Sequence, residues 1–148
     1  MRFAALCAAL PEAELDTLAQ RLRLPNDYRE LTALSARLER WLLSHQNGTV
    51  LDVEWLLDLL ETADAFRRPE RFQQWLQVLL SRACADGMPA DDAAALVRAL
   101  DEAQRQAATA HPADEDVARF KGASMAARLR ELRRAVLHAW MVRQTGSQ

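Results

Sequence analysis

Arginine is the residue type with which this chain could do most of its chemistry. Of 19 basic residues all but Lys121 are arginine, and many of them gather in groups: Arg21, Arg23 and Arg29; Arg67, Arg68 and Arg71; Arg128, Arg130, Arg133 and Arg134. A guanidinium is a planar fork of donors that fits two phosphate oxygens at once, so phosphate recognition is the chemistry such groups offer. Each group also has a structural use. Arg67 and Arg68 could neutralise a helix C-terminus or pair with Asp64 and Glu70, and Arg128 or Arg134 could pair with Glu131 along a helix face. Other chemistries find little to work with. His45, His111 and His138 lie far apart, and neither Cys7 nor Cys84 sits in a Cys-x-x-Cys or Cys/His arrangement, so no zinc site or other metal site is expected. Asp91-Asp92 falls where a helix should begin, where capping accounts for it. No Ser/His/Asp or Cys/His nucleophile set is present and no cofactor is implied.

The charge is unevenly spread. The net value is −2, yet 52–64 holds five acids and no base, while 119–143 holds seven bases and one acid. The total argues against a strong stand-alone nucleic-acid binder. The length, 148 residues, suits one ordinary domain with a substantial core. No apolar run reaches the roughly 18 residues of a membrane span. The N-terminal apolar stretch is brief and is followed at once by Pro11 and Glu12, so a cytoplasmic protein with reduced, buried thiols is expected rather than a secreted one.

The elements that must position these groups read as helices throughout, with no alternating strand pattern. The spacing predicts a short helix over Phe3–Leu10, a second over Pro11–Leu22 with Leu15, Leu18 and Leu22 on one face, and a third after the Pro25 turn. The third carries Tyr28, Leu31, Leu34, Leu38, Trp41 and Leu42 on one stripe and stops at Asn47-Gly48. Asp52 caps a fourth, carrying Trp55, Leu56, Leu59 and Leu60 with its acids toward solvent, closed by Arg67-Arg68. Pro69 opens a fifth with Phe72, Trp75, Leu76, Leu79 and Leu80 inward; Gly87 and Pro89 separate it from a sixth over Ala90–Ala108. A loop over Thr109–Asp116, a turn of helix at Val117–Phe120 and a last helix from Ser124 complete the chain. In that helix Met125, Leu129, Leu132, Val136 and Trp140 should face inward, with the arginines on the opposite face. The fold expected is all-α, a compact single-domain bundle of about six to eight helices.

Three segments carry a family resemblance. Arg21-Leu-Arg-Leu-Pro-Asn-Asp-Tyr-Arg-Glu-Leu31, Asp64-Ala-Phe-Arg-Arg-Pro-Glu-Arg-Phe72, and Phe120-Lys-Gly122 with the arginine-rich helix ending at Trp140 resemble, in that order, the C-terminal half of bacterial CCA-adding tRNA nucleotidyltransferases. The opening Arg2-Phe-Ala-Ala-Leu-Cys7 is also similar to the family, but the next residues depart from it. Where those enzymes carry a His-Asp metal-binding pair this chain has Ala8 and Ala9, and where they carry a Tyr-His pair it has Leu38 and Glu39. The resemblance therefore implies a degenerate HD domain without phosphohydrolase activity. The Mg²⁺-binding carboxylates and Gly-rich loop that nucleotide transfer needs lie in the family's N-terminal head domain, and this sequence has no such pattern.

The resemblance implies a non-catalytic body that clamps tRNA while a separate nucleotidyltransferase head works. The residues then near RNA would be Arg21, Arg23, Arg29, Arg67, Arg68, Arg71, Lys121, Arg128, Arg130, Arg133 and Arg134, reading shape and phosphate rather than sequence. A helical protein-interaction domain that has left RNA behind is the alternative, favoured by the acidic total charge. Clustering of Arg67, Arg68, Arg71, Lys121 and Arg128 on one face would favour the clamp; an exposed Leu/Trp patch would favour the alternative.

Overall fold

A computed structural model describes Cys7 and residues 10–44 and 52–145, with the side chains of 12, 13, 40–44 and 145 left undescribed. Among the described residues there are seven α-helices and no strand: α1 Glu12–Arg21, α2 Asn26–Ser44, α3 Val53–Thr62, α4 Pro69–Ala85, α5 Ala90–Ala108, α6 Asp114–Arg119 and α7 Ala123–Thr145. The all-α expectation holds. The expectations for the Phe3–Leu10 helix, for Ala8 and Ala9, for the Trp41 and Leu42 side chains, for His45 and for the Asn47-Gly48 stop fall largely outside the described residues.

Local chemistry sets most of the boundaries. Asp52 accepts a hydrogen bond from the Trp55 backbone N–H at 2.6 Å and so starts α3. Pro69 stands at the first position of α4, where its missing N–H costs nothing. Asp91 and Asp92 lie in the first turn of α5 without making a side-chain cap, so they act on the helix dipole rather than by the capping expected.

Three helix ends share one geometry. After α1, α3 and α4 the chain turns through a left-handed residue: Arg23 at φ 50°, Asp64 at φ 53° and Gly87 at φ 95°. At each, the next N–H reaches back to the helix: Leu24 to Ala19 at 3.0 Å, Ala65 to Leu60 at 2.9 Å, Met88 to Ala83 at 2.9 Å. This is the Schellman closure, which satisfies carbonyls the helix leaves open. Glycine is its usual occupant, and Gly87 announces the end of α4. Asp64 does not, yet its left-handed turn stops α3 at Thr62, ahead of the expected Arg67-Arg68.

The helices pack in the order α1, α2, α4, α5, α7, α3, each against the next, with α6 lying on α7. Leu31, Leu34 and Leu38 of α2, Leu57, Leu59 and Leu60 of α3, Phe72, Trp75 and Leu76 of α4, Leu100 and Ala103 of α5, and Leu137 of α7 share one buried cluster. A smaller one joins Cys7, Leu15 and Ala36. Three buried polar side chains find partners in the backbone. Thr32 and Ser35 donate to the Tyr28 and Leu31 carbonyls, and Gln104 donates to the Ala65 carbonyl at 3.2 Å, tying α5 to the α3–α4 connection.

Several inward-facing assignments are corrected. Tyr28 is 47% exposed and Leu22 53%, both beside the turn that joins α1 to α2. In α7 Leu137 is the fully buried residue, with Leu129, Leu132, Val136 and Trp140 only half-buried. The helix thus turns a different stripe toward α3 and α5 than its leucine spacing suggested. Cys84 is exposed rather than buried, while Cys7 is buried and its thiol pKa is raised by desolvation. The expected 109–116 loop is shorter, since α6 begins at Asp114 with three acids in its first turn.

Candidate nucleic-acid interface

The arginines that the sequence singled out meet different fates. Arg67, Arg68 and Arg71 converge on the connection between α3 and α4. Arg68 donates to Glu30 of α2 at 2.5 Å and lies 3.9 Å from Asp64; Arg71 reaches Glu30 at 3.3 Å and Asp64 at 3.6 Å. Glu30 therefore takes the partner role expected of Glu70. Further along the same seam Arg82 pairs with Glu39 at 2.7 Å. The early residues of α2 meet the early residues of α4, and later meet later, so these two helices run parallel. Arg67 is 86% exposed and only 4.0 Å from Asp64, so its guanidinium remains in solvent.

The acidic and basic segments of the sequence are partners. Glu54, Asp58 and Glu61 recur along one face of α3, and Arg130 of α7 binds all three: Asp58 at 2.8 Å, Glu54 at 3.1 Å, and Glu61 in close contact. Arg134 adds a second pair to Glu54 at 3.5 Å. The Asp58 hydrogen bond, followed by the charges of Glu61 and Asp58, raises the Arg130 pKa despite partial desolvation. Arg133 packs its guanidinium over the Phe66 ring, 3.7 Å from the centroid, and burial lowers its pKa. Both expectations for this region are corrected. The α3 acids do not simply face solvent, and Arg130 and Arg133 lie on the packing side of α7.

Arg128 is held too, by Asp116 of α6 at 3.1 Å and Glu131 at 3.2 Å; its hydrogen bonds to Glu131 and Asp116 raise its pKa. Arg29 lies 3.6 Å from Asp16 with its Nε buried. Three of the eleven cations differ: Arg21, Arg23 and Lys121 are exposed, and no carboxylate of the described residues pairs with their side chains. Lys121 donates its backbone N–H to the Ser124 hydroxyl and leaves its ammonium in solvent. Sequence reasoning could not make this division, because it depends on which helices lie side by side.

Leu38 and Glu39, the pair set by resemblance against a Tyr-His pair, each have a place in the structure. Leu38 is fully buried in the apolar core, and Glu39 is bound to Arg82. Among the described residues no group of three His, Cys, Asp or Glu side chains could hold a metal ion. None of their helices is long and apolar enough to cross a membrane.

The fold and its charged seams define an all-helical module in which most of these arginines tie helices together. Its sequence relatives are bacterial CCA enzymes. The chain is 34% identical over 108 residues to the multifunctional CCA protein of Pseudomonas putida, covering 68% of this chain and 28% of that protein. It is 40% identical over 76 residues to the CCA-adding enzyme of Coxiella burnetii, covering 51% and 19%. A third relative, the CCA-adding enzyme of Pseudomonas entomophila, is 33% identical over 110 residues. The chain is a homologue of one part of the bacterial CCA-adding enzymes, spanning 14% to 28% of the length of such relatives. No family model matches it, and no solved structure matches it significantly.

Proposed function

We propose that this chain is a non-catalytic tRNA-binding module, derived from the body of a CCA-adding enzyme and working beside a nucleotidyltransferase head on another chain or segment. The observation that carries this reading is the homology over 68% of the chain to an enzyme of that family. Of the eleven cations, contact with RNA phosphates falls to the three exposed ones that no carboxylate of the described residues occupies, Arg21, Arg23 and Lys121, joined by the exposed Arg67. The carboxylate-bound arginines of α4 and α7 hold the helices in register. Catalysis of CCA addition and HD-type phosphohydrolysis are both outside its repertoire, with Leu38 and Glu39 standing where the second needs ligands.

A protein-interaction role is the second reading, and one feature favours it. Leu56, Leu96, Leu100, Trp140 and Met141 line an open apolar groove of about 180 Å³ between α3, α5 and α7. Fluorescence anisotropy separates the two readings. Labelled tRNA should bind in the micromolar range, tighter than a length-matched RNA hairpin, with an affinity that falls steeply between low and physiological salt. Equal binding of tRNA and hairpin, or none at low salt, would overturn the tRNA module.

A further inference from the structure

The turn between α1 and α2 carries exposed apolar side chains and unpaired cations within eight residues of chain, 21–28. Leu22 and Tyr28, both assigned to a buried stripe by their spacing, stand in solvent within seven residues of each other, 53% and 47% exposed. Between and beside them lie Arg21 and Arg23, two cations without a carboxylate partner among the described residues. The nearby negative charge is largely engaged elsewhere. Asp16 faces Arg29, and Glu30 is bound by Arg68 and Arg71, which leaves Asp27 as the acid of this turn without a described cation. The backbone is held by hydrogen bonds that include Leu22 N–H to Leu18, Arg23 N–H to Gln20, Leu24 N–H to Ala19, and Tyr28 and Arg29 N–H to Pro25, so these side chains project from a defined turn.

An exposed aromatic ring beside free guanidinium groups is the combination that binds unpaired nucleotides. The ring face stacks on a base, and the cations take the flanking phosphates. We infer that the α1–α2 turn is a binding site for an unpaired nucleotide of single-stranded RNA, its base stacked on Tyr28 and its phosphates held by Arg21 and Arg23. Stacking tolerates any base, so the site selects for a base free of its helix rather than for sequence. This deepens the proposed function, on which it rests: it names what part of an RNA the module grips. Unpartnered cations favour RNA over a protein partner, for which an apolar patch alone would serve.

The chain has a single tyrosine, which makes the test direct. Full-length protein carrying 3-fluorotyrosine gives one ¹⁹F resonance, from position 28. Titration with oligouridylate should shift that resonance, whereas inorganic polyphosphate, which has charge but no bases, should leave it in place. Tyr28→Ala should weaken oligouridylate binding roughly 5- to 100-fold, the range for one base–aromatic stack, while Tyr28→Phe retains it. Arg23→Gly keeps a residue suited to the left-handed turn and removes the guanidinium, so it should lower affinity and salt dependence without loss of fold.

A resonance unmoved by saturating oligouridylate, or moved equally by polyphosphate, overturns the inference and leaves the Leu22–Tyr28 patch as a surface for protein. The site and the module fail separately. Retained tRNA binding with a silent Tyr28 sinks the site alone, whereas loss of tRNA binding with a responsive Tyr28 sinks the tRNA module alone.

Discussion

Phe72→Ala should lower the unfolding free energy by about 3–5 kcal/mol, the usual cost of emptying a buried phenylalanine site. Phe72 is fully buried, its ring 5.6 Å from that of Trp75, and it sits in α4, which packs on both α2 and α5. The loss combines the transfer energy of the ring with the cavity it leaves. Leu38, Leu57, Leu59, Leu60 and Leu76 of the same cluster are also nearly or fully buried, so backbone relaxation can reclaim only part of that volume. Domains of this size have a net stability of about 5–15 kcal/mol. The variant should therefore melt about 10 °C or more below the parent, with the denaturant slope unchanged. Thermal and urea unfolding followed by circular dichroism measure it. A change of less than about 1 kcal/mol would mean that α2, α4 and α5 do not close around this ring.

The second large effect is electrostatic. Arg130→Glu places a fourth carboxylate against Glu54, Asp58 and Glu61, replacing two short ion pairs and a third at 3.1 Å with like-charge contacts. A cost of about 2–4 kcal/mol is expected at low salt. Removing the charge with Arg130→Ala should cost less, because exposed pairs contribute little singly and Glu54 and Asp58 keep about half their surface in water. The difference between the two variants should shrink as salt is added, since these groups are within reach of counterions. Combining Arg130→Glu with Asp58→Arg should restore part of the loss, as a positive coupling in a double-mutant cycle. If the Glu and Ala variants are equally stable at every ionic strength, α7 does not lie along the acidic face of α3.

The sequence carried the helix content, and much of the element plan, in its most local signals. Pro69, Gly87 and Asp52 each act within one turn, and α3, α4 and α5 begin or end where those residues place them. What the sequence could not carry depended on neighbours. Asp64 ends α3 with a non-glycine residue in a glycine conformation, which no composition rule marks. Tyr28 fits a leucine stripe by spacing, yet in the first turn of α2 it stands largely in solvent. The division of the arginines was the least legible of all. Two oppositely charged segments, 52–64 and 119–143, were plain in the sequence, but their mutual neutralisation follows only from the antiparallel packing of α3 on α7. The excess of arginine that suggested phosphate recognition is thus in large part internal structure.

If the unpaired cations contact RNA while the paired ones hold the fold, two triple variants that each remove three positive charges should behave differently. They are Arg21→Ala/Arg23→Ala/Lys121→Ala and Arg128→Ala/Arg130→Ala/Arg134→Ala. Their tRNA affinities, measured by anisotropy across a salt series beside their melting temperatures, are to be compared with the parent. The first should lose about tenfold or more in affinity, with a salt slope reduced by about one for each phosphate it no longer neutralises, and melt like the parent. The second should lose melting temperature and keep most of its affinity for tRNA. The reverse pattern, with affinity following Arg128, Arg130 and Arg134, would contradict this division of labour.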